Sequence, residues 1–337
     1  MKDITFVVPC YNSQDYMKRC INSLLGCGNA GEIIIVNDGS TDATGEIADK
    51  YETLYPEIIK VVHKRNGGHG SGVNAGLLLA TGRFFKVVDS DDWLDEEALS
   101  NVLKSLQMWK DELDMLVCDF VYDHFYENKQ KNAGFGNVFP KDKIFSWQDI
   151  RHFGPSQYLI MHALIFRTAI LKQSNVKLPE HTFYVDNLFA YQPLPNVKNI
   201  LYIKEALYHY FLGRDDQSVT EESYKKRIDQ QILVTKLVAD SVDLGEVKKE
   251  SPKLAAYMMR NVSVMLSICC IYLLMINTTE SLEKRHALWQ YIKDKDKALY
   301  RKMRYTTLCG FTYLPGKTGR VLTLNGYKIA KKLYQFG

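Results

Sequence analysis

The 337-residue chain is 46% hydrophobic and carries 43 Lys and Arg against 39 Asp and Glu, a net charge of +4; this excludes disordered and fibrous classes, and the length suggests about two domains. The near-neutral sum hides an asymmetry, because residues 284–337 hold 13 basic and 2 acidic residues, net +11, leaving −7 for residues 1–283. Seven cysteines, an odd number in no metal-ligand spacing, speak against a disulfide-stapled scaffold and fit a reducing, cytoplasmic setting.

The first residues, Met-Lys-Asp-Ile-Thr-Phe-Val-Val-Pro, lack a basic, long-apolar, small-residue leader pattern, which adds to the cytoplasmic expectation. Ile4–Val8 reads as a strand, and Asp15–Leu25 as a helix with Tyr16, Cys20, Ile21, Leu24 and Leu25 at helical spacing. The alternation continues with strands over Glu32–Val36, Ile58–His63, Arg83–Val88 and Leu113–Cys118, and helices over Ala43–Tyr55, Val73–Ala80 and Glu96–Lys110. This pattern predicts an α/β fold, a Rossmann-like, largely parallel central sheet flanked by helices, with ligands beyond the carboxyl ends of the strands. Polar clusters fall at those ends: Pro9–Asn12, Asn37–Asp42, Lys64–Gly72 and Asp89–Asp92.

Residues 122–160, rich in aromatic and charged side chains, read as an excursion over the active face. Strands follow at His162–Phe166 and Val197–Ile203, with a helical turn at Asp186–Tyr191 between them. From Glu221 onward the sequence is almost all helix-compatible, so a boundary is expected near 220: residues 1–220 form a catalytic domain, made of halves 1–120 and 121–220, and 221–337 a basic helical region. The apolar run Val262–Ile276 is 15 residues long, short of the ~20 that span hydrocarbon, and reads as a buried or membrane-touching helix.

Three clusters carry chemistry. Val87-Val88-Asp89-Ser90-Asp91-Asp92 ends a strand in three carboxylates, and alternation sends Asp89 and Asp91 to one side. Such carboxylates repel unless a cation joins them, and Mg²⁺ or Mn²⁺ held this way can also hold a diphosphate. The alternative is that Asp91 or Asp92 caps the helix that follows. In Asn37-Asp38-Gly39-Ser40-Thr41-Asp42, Asp38 can accept from the N3 proton of a uracil ring, while one of Ser40, Thr41 or Asp42 caps the next helix. Lys64-Arg65-Asn66-Gly67-Gly68-His69-Gly70-Ser71-Gly72 is a glycine-rich strand-to-helix connection suited to anions. Its glycine spacing and its place after the third strand argue against a nicotinamide-dependent dehydrogenase.

Taken together, Val8-Pro9-Cys10-Tyr11-Asn12, Val36 to Asp42, Asn66-Gly67-Gly68 with Asn74-Ala75-Gly76, and Asp89 to Asp92 closely resemble family 2 glycosyltransferases of the GT-A fold, over about the first 120 residues. The resemblance implies a sugar-nucleotide domain, usually for a UDP-sugar, working with Mn²⁺ or Mg²⁺. It implies that Pro9 and Tyr11, with Asn12, lie by the nucleoside, that Asp38 reads the base, and that the loop with Arg65, Gly68, Ser71 and Asn74 follows nucleotide and sugar. Asp89 and Asp91 would form the Asp-x-Asp motif, with the metal contact open between Asp91 and Asp92. The family's Glu-Asp pair is matched by Val185-Asp186, which makes Asp186 the general base and leaves the Glu position to Val185. Tyr208 to Thr220 resembles the end of the catalytic domain, where Arg214 would pair with the diphosphate. There His209 is read as a third metal ligand or leaving-group contact, against an aromatic-packed structural histidine.

These parts amount to an inverting single displacement, with a glycan or lipid-linked acceptor in bacterial surface polysaccharide synthesis. A nucleotidyltransferase lacks its glycine-rich motif here, and a sugar-nucleotide binding protein without turnover is the remaining alternative. The basic segment 284–337 is read either as a face for anionic membrane or as a solvated or homodimer surface; no motif supports nucleic acid.

Overall fold

In the computed structural model, which describes residues 2–124, 127, 129–213 and 220–334, Ile4–Cys10 (β1) is buried along its whole length. An unbroken apolar run must be buried when helices cover both faces of a sheet. The other strands are Gly31–Asn37 (β2), Ile59–His63 (β3), Phe84–Val87 (β4), Trp93–Leu94 (β5), Met115–His124 (β6), Lys129–Ala133 (β7), Ile144–Phe145 (β8), Leu164–Arg167 (β9) and Ile200–Leu212 (β10). Between them run Met17–Leu24 (α1), Thr44–Leu54 (α2), His69–Leu79 (α3), Glu96–Met108 (α4), Thr168–Gln173 (α5) and Asp186–Tyr191 (α6). The sheet order is β3-β2-β1-β4-β9-β6-β10-β5, with β7 on β6 and β8 on β10.

Strands β1 to β4 pair in parallel, as does β6 with β10. The sheet is mixed, because β9 lies antiparallel between β4 and β6; a four-residue apolar run carries no direction in its sequence. Strands β6 and β10 are longer than their apolar runs, since they continue to pair as far as His124 and Leu212 through irregular register between Ile203 and Tyr208. Residues 129–150 pack on this part of the sheet: β7 pairs with Phe120–His124, and the Trp147 indole N–H donates to the Val197 carbonyl at 2.8 Å. Helix α3 begins at His69, four residues before the apolar periodicity does, and packs against β1 so closely that a Cβ at Gly76 would lie 2.3 Å from Val7. The order β3-β2-β1 followed by β4 on the other side of β1 opens the crevice at which loops after β1 and β4 diverge.

The chain divides into two compact units, Met1–His152 with Leu159–Asp215, and Phe153–Tyr158 with Asp216–Gly337. Residues 153–158, expected in the second half of the catalytic domain, thus group with the helical unit. That unit contains Glu221–Lys226 (α7), Ile228–Asp240 (α8), Leu244–Glu250 (α9), Pro252–Ile276 (α10), Thr279–Lys295 (α11), Lys297–Thr306 (α12) and Gly316–Tyr334 (α13). Ser251 caps α10 with Pro252 as its first residue, and Asn277 ends it in the left-handed conformation. The helix therefore exceeds the apolar run and is long and apolar enough to cross a membrane by length and composition. Within this unit α8, α9 and α11 pack on it, and Met258, Val262, Leu266, Cys269 and Leu273 are fully buried. Arg260 of α10 donates to the carbonyls of Gly154, Pro155 and Gln157, which holds the 153–158 segment.

Candidate active site

The turn after β4 is fastened from two sides. From α1, Arg19 donates to the Asp91 carbonyl at 3.0 Å with its guanidinium 3.6 Å from the Trp93 ring centroid, and Ser23 accepts from the Leu94 N–H. From β10, the Tyr208 hydroxyl accepts from the Asp89 N–H and donates to Asp92 Oδ2 at 2.5 Å, while the Phe211 N–H donates to Asp92 Oδ1 at 2.8 Å. Asp92 is fully buried, and burial together with the charges of Asp91 and Asp89 pushes its carboxyl well above the usual range. Asp92, expected at the substrate, uses both its oxygens here to join β10 to the β4 turn.

Asp89 sits partly exposed, with Oδ1 2.8 Å from His69 Nε2. Burial raises its carboxyl, but the charge and hydrogen bond of His69 outweigh this and hold it below its ordinary value. The reciprocal effect on His69 is upward: burial lowers the imidazole, and Asp89 more than reverses it. His162 completes the group, since ligating atoms of Asp89, Asp92 and His162 all lie within 4.8 Å of one another. Its ring stacks on Tyr208 at 4.5 Å and lies tilted against Tyr210 at 4.4 Å, and burial lowers its pKa to about 4, so it is neutral at pH 7. Nδ1 of His162 is buried with no hydrogen-bond partner among the described residues. Beneath it the fully buried Lys86 donates to the His162 carbonyl at 2.7 Å, its pKa lowered by burial to about 8.

The expected metal set of Asp89, Asp91 and His209 is not what the fold gathers. Strand alternation sends His209 to the opposite face of β10 from Tyr208, where it stacks on Trp93 at 5.0 Å with Nδ1 3.3 Å from Asp123. Asp91 stays partly exposed in the turn, outside the Asp89–Asp92–His162 group.

The glycine-rich connection is built by Asp38. Its buried carboxylate accepts from Lys64 Nζ at 2.6 Å and from the N–H groups of Gly67 and Gly68 at 3.0 and 2.7 Å. The Asp38 oxygens expected to read a base also shape the 64–68 loop. That loop is locked to residues 178–182. The His181 N–H donates to the Gly67 carbonyl, Ser71 to Glu180, and Asn74 both donates to and accepts from the Leu178 backbone at 2.8 and 3.0 Å. Gly68 has φ +83° and a Cβ there would meet the His181 backbone at 3.1 Å, so both conformation and space require glycine. Gly68, Ser71 and Asn74, expected along the ligand, are thus parts of this lock. Arg65 is exposed, at a cavity of about 600 Å³ that Lys64, Asn66, Gly67, Glu180 and His181 also line.

The lock sets α6, whose first residue is Asp186. Burial raises its carboxyl above the ordinary range, His69 pulls it down and Asp89 pushes it further up. Val185 is buried beside Gly70. At the other strand ends, Pro9 is buried in β1 opposite Val36, Tyr11 is exposed, and Asn12 (φ 49°) accepts from the Thr41 N–H at 2.9 Å, joining the loops after β1 and β2. Arg214 lies outside the described residues.

Four participants escaped sequence reasoning: His69, His162, Tyr208 and Lys86. His69 lay inside a quoted loop without a partner at any fixed spacing. His162 opened an expected strand but lies in the turn Met161–Ala163 just before β9, and Tyr208 stood in the segment ending the catalytic domain without a role of its own; buried aromatic and histidine side chains ordinarily read as packing.

Residues 5–170 match the family model described as glycosyl transferase family 2. An uncharacterised glycosyltransferase of Bacillus subtilis, EpsJ, is 27% identical over 68% of this chain and 66% of its own length, so the chain spans just under two thirds of that relative. An uncharacterised glycosyltransferase of Mycoplasma pneumoniae, the MG025 homolog, is 30% identical over 64% of this chain and 70% of its own length. The crystal structure of residues 1–349 of S. aureus TarS in complex with UDP-GlcNAc superposes with a TM-score of 0.66 at 20% identity, covering 99% of this chain and 92% of that one.

Proposed function

Since the chain belongs to glycosyl transferase family 2, we propose that it is an inverting glycosyltransferase that moves a sugar from a nucleotide sugar to an acceptor hydroxyl. The observation that carries this is Asp186: a carboxyl raised by burial, at the start of a helix fixed to the loop that also bears His69 and hence Asp89. In the reaction Asp186 takes the acceptor's hydroxyl proton as that oxygen forms a bond to the anomeric carbon. The bond from that carbon to the diphosphate oxygen breaks on the opposite face, and the nucleoside diphosphate leaves with the electron pair.

Asp89, with one oxygen on His69, and the neutral His162 imidazole, whose Nδ1 has no partner among the described residues, fit a divalent cation of the Mn²⁺ or Mg²⁺ type and are the residues that would hold it; Asp92, close beside them, would join only by giving up its bonds to Tyr208 or Phe211. When bound, such an ion supplies charge neutralisation to the departing diphosphate. A UDP-sugar donor is supported by UDP-GlcNAc in the solved TarS complex. The exposed Tyr11 offers an aromatic face to a nucleoside, and Arg65 a cation to anionic groups. We assign the work to bacterial surface polysaccharide or lipid-linked glycan synthesis at the cytoplasmic side, where seven free, buried thiols are at home.

The direct test is thermal unfolding with UDP-, GDP- and dTDP-linked sugars, with and without Mn²⁺. A donor at 100 times its Kd stabilises by about 2.7 kcal/mol. The reading fails if no nucleotide sugar raises the transition temperature.

A further inference from the structure

Residues 297–337 hold nine Lys and Arg and no Asp or Glu. Lys331 pairs with Glu221 at 2.8 Å. Lys297, Arg301, Lys302, Lys317, Lys328 and Lys332 are exposed and form no ion pair among the described residues. The same segment exposes large apolar side chains: Leu308 at 83%, Leu333 at 69%, Ile329 at 61%, Leu322 at 55% and Phe311 at 54%.

These are not scattered. Leu322, Ile329 and Leu333 are seven and four residues apart on α13 and form one stripe, edged by Lys328 and Lys332. The turn Leu308–Tyr313 packs on the same helix, with Thr323 donating to the Phe311 carbonyl at 2.8 Å, so α13 and the turn form one piece. A solvated face would not carry this much exposed leucine and isoleucine, and a charge-balanced one would mix signs.

We propose that this face of the helical unit docks on an anionic lipid bilayer, the apolar side chains entering the headgroup boundary and the cations meeting lipid phosphates. A second copy of the chain is a poorer occupant, because it would set exposed cations against exposed cations with no carboxylate in the segment. A soluble anionic polymer would match the charges but leave the apolar stripe in water. The proposal stands independently of the reaction assigned above.

The test uses the full chain and sedimentation with vesicles of phosphatidylcholine alone or mixed with phosphatidylglycerol, at about 0.1 M salt. Binding is expected to the mixed vesicles only, at least ~10-fold tighter than to neutral ones. A triple variant, Leu322→Ser with Ile329→Ser and Leu333→Ser, and separately Lys328→Gln with Lys332→Gln, are each expected to weaken it ~10-fold or more, with unchanged thermal unfolding. Equal binding to neutral vesicles, or none to either, overturns the proposal. Serine variants that bind mixed vesicles as the parent does indicate a general polyanion surface and also overturn it. A parent dimer that the serine variants turn into a monomer, with vesicle binding retained, assigns the face to self-association instead.

Discussion

Asp186 is the side chain on which the proposed chemistry depends, and its surroundings make a signed forecast. Its pKa is raised, so the ionised base is lost as pH falls through a value above the ordinary carboxylate range. The acid limb of kcat should therefore lie above the pH at which a solvated aspartate protonates. Asp186→Asn should lower kcat about 10²-fold or more while leaving donor binding near normal, measured by turnover and by thermal shift. Unchanged turnover would remove Asp186 as the base. Lys86 gives a second forecast, through stability. Its folded pKa is lowered by burial from 10.5 to about 8. Between those values the unfolded chain binds more protons than the folded one, so this residue makes stability rise with pH across that window. Urea unfolding of Lys86→Met at pH 8 and pH 10 should show that rise diminished by roughly 2 kcal/mol relative to the parent.

The connection before α3 and the segment before α6 act together, and the amide of Asn74 is their double fastening. Removing it in Asn74→Ala leaves the Leu178 N–H and carbonyl without those partners, at about 2 kcal/mol of stability. Because the same segment leads into Asp186, turnover should fall further than donor binding does; chemical denaturation and steady-state kinetics measure the two effects. These elements also mark how far local pattern reaches. Strands β1 to β4 and helices α1, α2 and α4 lie within a few residues of where apolar periodicity sets them. The earlier start of α3 was hidden because glycine has low helix propensity, and here the close approach of residues 178–182 favours it. The antiparallel course of β9 was hidden because strand direction is a property of connections, not of composition.

For the whole chain, all seven cysteines are free and buried, and burial raises every one of their thiols, Cys10 to about 12. Thermal stability should be the same with and without reductant, and a thiol reagent should label seven sites only after unfolding; rapid labelling of the native protein would contradict the burial described. The charge asymmetry likewise acquires a location. The basic residues gather in the helical unit, where apolar exposure accompanies them, and the carboxylates at the strand ends belong to the other unit.

The order of residues along the chain sufficed to place the polar loops at the strand carboxyl ends, because short motifs are local chemistry: turn-forming glycines, clustered aspartates, an aspartate opening a helix. It could not determine which way each side chain faces. Asp92 turns inward because Tyr208, 116 residues away, receives it. His209 turns away because it alternates with that tyrosine, and His162 joins Asp89 because β9 enters the sheet beside β4. Those outcomes rest on strand register and order across distant segments, which no spacing along the chain encodes and which are fixed only when the sheet assembles.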